Sequence, residues 1–380
     1  MFAFLFICIS YGLGNLYVFL KLTSILEPGI PGGMLLGLLI LFLTLSPTLI
    51  QIYNFRGTAR TASVFSHIGF MWLALLIPFI VCAIVLELYN YIMKFGGFLV
   101  NPDVNGKLIS SEHTVLISFG LSIAITVYGY FEAKKLCIER LTVRTSKLPD
   151  GVEKIRIAQI SDLHLGVLVK DKILNRVIEI IDDEKPDLVV STGDLVDGVV
   201  HHIEQFAERL KTINPRFGKF AVLGNHEIYG GLKYTTKFIA DSGFTLLRGQ
   251  GVTIKNVMNI AGMDFLGGEA KKVRRDLPEK DEYEVLSALP RDTFTLLLKH
   301  RSDIEEKSLG LFDLQLSGHT HRGQIFPINL ALLFMFQYIS GFTQLFKGSA
   351  IYVSRGAGTA GPPIRVFSKP EVTIIDVVPA

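Results

Sequence analysis

An α/β domain preceded by an α-helical bundle of four transmembrane helices is the fold class this sequence predicts. Three observations carry that expectation. Charge is nearly excluded from residues 1–131, four apolar stretches in that region are each long enough to cross a bilayer, and beyond residue 154 short apolar runs alternate with amphipathic ones.

The 380 residues include 38 Lys and Arg and 35 Asp and Glu. Only Lys21, Glu27, Arg56, Arg60, Glu87, Lys94, Asp103, Lys107 and Glu112 fall within 1–131. The first part therefore suits lipid and the remainder suits water. A net charge of +3, without a long basic run, gives no argument for nucleic acid as a partner. Cys8, Cys82 and Cys137 lie in or beside apolar stretches, and no cysteine follows Thr142. The polar part thus has no disulfide framework and no thiolate metal site.

A hydrocarbon core about 30 Å thick needs roughly 20 apolar residues in a helix. The stretches Met1–Leu20, Ile30–Ile50, Ala62–Leu86 and His113–Phe131 meet that length. The first lacks a basic start and a small-residue cleavage site, which argues against a secretory signal. No charge sits in the middle of any expected span, so the helices read as an anchor rather than an ion pathway. Orientation follows from the loops. Arg56 and Arg60 stand without an acid between spans two and three, and Lys134, Lys135, Arg140, Arg144 and Lys147 follow span four. Both ends and the polar domain are expected on the cytoplasmic side.

From Lys154 the pattern changes. Ile155–Ile160 reads as a strand delivering polar residues at its end. In 171–184, Ile173, Leu174, Val177, Ile178 and Ile181 form one helical face, and Pro186 stops it. Asp187–Thr192 is a second strand, 202–213 a second helix, and Phe220–Leu223 a third strand. Such alternation indicates βαβ units. Thr253–Ile260, Thr293–Leu298, Asp313–Leu316, Ala350–Val353 and Val372–Val378 read as later strands, enough for two packed sheets with helices outside. The expected divisions are a transmembrane domain at 1–131, a basic juxtamembrane linker at 132–153 and a catalytic domain at 154–380.

Five clusters stand at or near the carboxyl ends of these strands, where open α/β folds place ligands: Asp162-Leu-His164, Gly193-Asp194, Gly224-Asn-His226, His300, and Gly318-His-Thr-His321. Any one occurs by chance, and an Asp after a Gly is ordinarily a turn. Five of the nine histidines fall in the clusters, with His201 and His202 close behind the second, and the ordered combination is what defeats coincidence. Oxygen and imidazole donors without sulfur suit manganese, iron or zinc.

DLHLG, GDLVDG, GNHE, a lone downstream His and GHTHRGQ, in that order, resemble the calcineurin-like metallophosphoesterase superfamily across roughly Ile155–Val378. The closing YVSRGAGTAGPPIRVFSKPEVTIIDV, with helices ahead of the domain, resembles the membrane-anchored YkuE-like branch. The resemblance implies a four-layer α/β/β/α sandwich. It implies two divalent or trivalent metal ions, manganese foremost, with iron, zinc, magnesium and calcium as alternatives. Asp162, His164 and His321 would hold one ion, Asn225, His300 and His319 the other, and Asp194 would bridge them. Paired ions clamp phosphoryl oxygens and activate water near neutral pH. His226, which the family does not use as a ligand, would protonate the leaving oxygen as the catalytic acid. Asp162 would orient it.

Two positions depart from the branch. Arg322 stands where a second glycine is usual, and could contact a substrate phosphate or be an exposed loop residue. Glu227 replaces the commoner Asp, at a position that is not a ligand. Arg355 and Arg365 are weaker candidates for phosphate contact.

The insert 325–347 carries one charge, Lys347, and holds Phe326, Leu333, Phe334, Met335, Phe336, Tyr338, Phe342 and Phe346. A membrane-docking or acyl-binding lobe and an apolar core helix both fit it, while Pro327 and Gly341 argue against a fifth span. The expected function is hydrolysis of a phosphodiester or pyrophosphate bond in a lipid or lipid-linked substrate, with the lipid bilayer as partner. A soluble-nucleotide phosphodiesterase, a phosphoprotein phosphatase and a non-catalytic metal-binding scaffold are the alternatives.

Overall fold

The computed structural model describes residues 2–55, 59–99, 107–166, 169, 171–197, 203–265 and 280–380. Arg56, Asp103, His201 and His202 lie outside them. The chain divides into two compact units, Met1–Phe131 with Gly361–Ile364, and Glu132–Ala360 with Arg365–Ala380.

The first unit contains α1 (Phe2–Leu26), α2 (Gly29–Phe55), α3 (Ala59–Leu99) and most of α4 (Ser111–Glu132). All four are long and apolar enough to cross a membrane. Val18, Ile40, Leu76, Phe79 and Ala83 form their common core. Several buried polar groups find partners inside the bundle, as lipid demands. Ser122 and Thr126 hydroxyls donate to Leu75 and Ala74 carbonyls at 2.6 and 2.9 Å, and the Trp72 indole donates to Asn15 at 2.8 Å.

One expectation is corrected here. Helix α3 does not stop at Leu86 but runs to Leu99, 41 residues in all. At 1.5 Å per residue it is roughly 60 Å long, about twice a hydrocarbon core. Its extension places Glu87 inside an apolar helix. The carboxylate is paired with Lys21 and accepts the Tyr17 hydroxyl at 2.8 Å, so the charge has its own counter-ion.

The second unit is built on two six-stranded sheets. The first has the order β1-β12-β2-β3-β4-β5, from β1 (Cys137–Thr145), β12 (Glu371–Pro379), β2 (Ile155–Ile160), β3 (Leu188–Ser191), β4 (Lys219–Ala221) and β5 (Thr245–Leu246). The second has the order β10-β11-β9-β8-β7-β6, from β10 (Gly341–Gln344), β11 (Ala350–Val353), β9 (Leu314–Ser317), β8 (Thr295–Leu298), β7 (Met258–Gly262) and β6 (Gln250–Ile254). Strands β2 to β5 are mutually parallel, as are β7, β8, β9 and β11.

Alternation along the strands explains the layers. Ile155, Ile157, Leu188 and Val190 point to the second sheet and meet Ile260, Leu296, Leu298, Leu314 and Leu316. Ala158, Ile160 and Val189 point the other way. They pack under α5 (Asp171–Glu184), α6 (Glu204–Lys211) and α8 (Leu232–Asp241), which bring Leu174, Val177, Phe206, Leu210 and Phe238. Behind the second sheet, Ala261, Leu297 and Phe312 pack with Leu286 of α9 (Glu282–Ser287). The result is the α/β/β/α sandwich.

Three sequence readings are revised. Residues 137–145 are not linker but strand β1, parallel to β12 along its whole length. The run Thr253–Ile260 is not one strand but the β6–β7 hairpin, turning at Lys255 and Asn256, both at positive φ (44° and 56°). The insert 325–347 is not a buried helix. It holds only the five-residue α10 (Ile328–Leu332), none of it buried, and strand β10 on the sheet edge.

Candidate metal centre

Each donor cluster continues a parallel strand past its carboxyl end. Strand β2 leads to Asp162 and His164, β3 to Asp194, β4 to Asn225 and His226 at the start of α7 (Asn225–Tyr229), β8 to His300, and β9 to His319 and His321. Both sheets thus contribute from one edge. Backbone bonds lace the loops together: Asp162 N–H to Gly193 O at 3.0 Å, His164 N–H to Asp194 O at 2.9 Å, and Gly318 N–H to His300 O at 2.9 Å.

The turns are tight. Asp162, His164, Asp194, His319 and His321 all have φ between 48° and 72°, a region non-glycine residues enter only when the surroundings hold them there. Gly224 and Gly318 are required by close approach. A Cβ on Gly224 would strike the Asp194 carboxylate, and one on Gly318 would strike Asp162 and Ser161.

The side chains converge in three overlapping groups: Asp162, His164 and His321; His164, Asp194 and His226; Asp194, His300 and His319. Within each group the donor atoms lie within 4.8 Å of one another. His164 Nε2 faces His321 Nε2 at 3.0 Å, and His300 Nε2 stands 3.1 Å from both Asn225 Oδ1 and His319 Nδ1 and 3.2 Å from Asp194 Oδ2. His300 Nδ1 donates to the Thr192 carbonyl at 2.8 Å, which leaves Nε2 as the lone-pair nitrogen turned inward.

Electrostatics fit a cation. Asp162, Asp194 and Glu227 are buried together, and burial first, then the charge of Asp194, raises the carboxyl pKa of Asp162 and Glu227. Asp194 itself is held well below the usual range. Burial opposes its ionisation, but His300 and His226 outweigh that. His300 is pushed up to about 9, its burial overcome by Asp194 and Asp162. His319 is pulled down to about 3 by burial and by His300. Buried oxygen and nitrogen donors converging in this way bind hard and borderline divalent ions. His164 Nδ1 is also buried without a hydrogen-bond partner.

His226 differs from the rest. Its side chain is 26% exposed, and its Nδ1 lies 2.7 Å from Asp197 Oδ1. Burial lowers its pKa, but Asp194 and the bond to Asp197 raise it to about 9. It reaches the middle group geometrically, yet only Nε2 remains free of Asp197. Asp162, expected to orient it, instead accepts the His319 N–H at 2.9 Å. Asp197 takes the orienting part. The sequence contains it within GDLVDG, and only its spacing from Asp194 could have marked it.

Two further residues take roles that the sequence does not show. Glu227 accepts N–H bonds from Asp194 and Gly224, both at 2.8 Å, and from Val196 at 3.2 Å, so it braces two ligand loops. Phe265 packs its ring against His300 and His319, with centroids at 5.8 and 5.7 Å.

The arginines fall apart as a group. Arg322 is exposed beside His321, in a left-handed turn (φ 51°). Arg355 is corrected: its guanidinium is paired with Glu371 and with Glu139 at 2.8 Å, which removes it as a phosphate contact. Arg365 is fully buried and cannot meet a substrate phosphate.

Donors from five strand ends, gathered on one edge of a two-sheet sandwich, define a hydrolase class that works through paired metal ions. A family model for calcineurin-like phosphoesterases matches residues 155–323. An uncharacterized metallophosphoesterase of Aquifex aeolicus is 39% identical over 258 residues, covering 68% of this chain and 97% of that protein. The YkuE metallophosphoesterase of Bacillus subtilis is 34% identical, covering 65% and 88%. A transmembrane protein with a metallophosphoesterase domain from Danio rerio is 26% identical, covering 80% and 73%. The chain belongs to the calcineurin-like metallophosphoesterase family, and it is a metal-dependent phosphoester hydrolase.

Proposed function

We propose that this enzyme cleaves a phosphodiester or pyrophosphate bond of a lipid or lipid-linked substrate at the surface of the bilayer its helices span. In this reading the catalytic domain faces the cytoplasm, on the strength of the basic residues that follow α4.

The observation that carries the lipid reading is the apolar insert. Leu333, Phe334 and Met335 are 57%, 94% and 64% exposed, with Phe326, Phe342, Phe346 and Phe367 also exposed. Water-exposed aromatic and aliphatic side chains in such a cluster mark an interaction site. The insert also reaches the metal centre, because the Phe336 ring packs edge-on against His319 at 5.6 Å.

Asp162, His164 and His321 would hold one ion, Asn225, His300 and His319 the second, with Asp194 between them. Two cations held there would supply Lewis acidity at the phosphoryl oxygens and would activate water near neutral pH. The chain's own residues do the rest. Glu227 and the loop bonds fix Asp194. Asp197 accepts the His226 Nδ1 proton and favours the imidazolium, which leaves Nε2–H to donate. Hydrolysis forms a bond from a water oxygen to phosphorus and breaks the bond to the leaving oxygen. The leaving oxygen departs with the Nε2 proton, the attacking water gives up one proton to bulk solvent, and solvent returns a proton to Nε2.

The test measures headgroup release from lipid vesicles and cleavage of a soluble aryl phosphodiester, both with manganese. Replacing Phe334 by Asp removes about 1.5–3 kcal/mol of apolar burial in lipid, equivalent to about one to two decades in binding. Vesicle turnover is expected to fall by that much while soluble turnover holds. Vesicle turnover in the variant equal to that of the wild type, or no lipid cleavage by the wild type, sinks the lipid assignment.

A further inference from the structure

The family match ends at residue 323, yet a later segment is built into the centre. Arg365 is 0% exposed, an expensive place for a charge unless every donor is used. Its Nε donates to Gly358 O at 2.9 Å, and Nη1 to Arg355 O at 2.8 Å and Ser368 O at 3.1 Å. Its Nη2 donates to Gly356 O at 3.1 Å and Gly358 O at 2.5 Å. Only a planar fork can gather carbonyls from so many directions.

The loop gathered in this way rests on one half of the metal centre. Ala357 N–H donates to Ser161 O and Gly358 N–H to Asp162 O, both at 2.9 Å. A Cβ on Gly356 would lie 2.7 Å from Asp162 Cβ, and one on Gly358 would strike the Leu163 carbonyl. On the other side, the Ser368 hydroxyl donates to the His321 carbonyl at 2.6 Å, and Arg365 Nη2 stands 3.1 Å from His321 Nδ1. Asp162 and His321 belong to the same donor group. The hydrogen bonds that Arg365, Ala357, Gly358 and the Ser368 hydroxyl make here run to the Asp162 and His321 side of the centre.

We propose that Arg365 is a positioning residue that organises residues 354–360 and 365–368 into the scaffold for the first metal site alone, leaving the second to stand without it. The proposal rests on the ligand assignment given above. Changes to residues that orient metal ligands typically weaken binding about 10–100-fold.

The experiment is a manganese titration of the full-length detergent-solubilised protein, by calorimetry and electron paramagnetic resonance. Wild type is expected to bind two ions with a spin-coupled signal. Arg365→Ala and Arg365→Lys, checked for folding by circular dichroism, should keep one ion at wild-type affinity, lose affinity for the other by about 10–100-fold, and show an isolated-ion signal. Lys fails with Ala because it keeps the charge but not the fork. Adding Asn225→Ala to Arg365→Ala should abolish tight binding. A folded Arg365→Ala that binds both ions as wild type does, or loses both equally, overturns the proposal. If both Arg365 variants fail to fold, Ser368→Ala decides, with one-site weakening expected and an unchanged titration overturning the idea. A wild type that binds fewer than two ions overturns the ligand assignment and the proposal with it.

Discussion

Asp194 raises the pKa of both His226 and His300, Asp197 adds to it at His226 and Asp162 at His300, and each gives a measurable consequence. For His226, the acceptor at Nδ1 is the carboxylate of Asp197, 2.7 Å away. Replacing that carboxylate by an amide removes a charge that favours the imidazolium. The His226 pKa should therefore fall from about 9 in metal-free protein, followed by NMR titration of Asp197→Asn against wild type. An unmoved pKa would show that Asp197 is not the cause. His226→Ala should lower kcat by about 10²–10⁴ while leaving two ions bound. For His300, the ligand form is the neutral imidazole, and the pKa of about 9 means that acid competes with metal at neutrality. Manganese binding at the His300 donor set should release about one proton near neutral pH, and affinity there should fall about tenfold for each further unit of acid. Calorimetry in buffers of different ionisation enthalpy measures it. That the eight side chains converge is legible in the sequence because strand ends gather them in a fixed order. Arg355 and Arg365 were misread because local sequence does not reveal whether a guanidinium beside glycines faces water or carbonyls.

At the level of elements, each misreading has its own cause. Strand β1 looked like a linker because it is an edge strand whose Glu139, Arg140 and Arg144 dilute the apolar signal. Its inward residues nevertheless contribute to both cores, Ile138 on the helix side and Leu141 and Val143 between the sheets. Leu141→Ala should cost about 1–3 kcal/mol, below the usual range for a fully buried Leu because the site is half-buried. A linker residue would cost nothing, and a denaturant midpoint distinguishes the two. The β6–β7 hairpin was missed because Lys255 and Asn256 turn without the glycine that usually announces it. The helices α5 and α6, with strong amphipathic spacing, were legible throughout.

For the molecule as a whole, composition alone separated the apolar helices from the hydrolase, since charge cannot be hidden in lipid at length. What composition could not show is how the sheet closes. Strand β12 lies between β1 and β2, pairing with the first in parallel and the second antiparallel. It is also the last strand of its sheet in chain order. During synthesis, β1 and β2 leave the ribosome long before the strand that joins them, so the helices are delivered to the membrane ahead of any complete catalytic sheet. A chain lacking Glu371–Pro379 should insert normally but yield a protease-sensitive domain that retains no metal. Limited proteolysis of membranes carrying each form tests this, and a truncated chain that resists protease and keeps its ions would show that the sheet closes without β12.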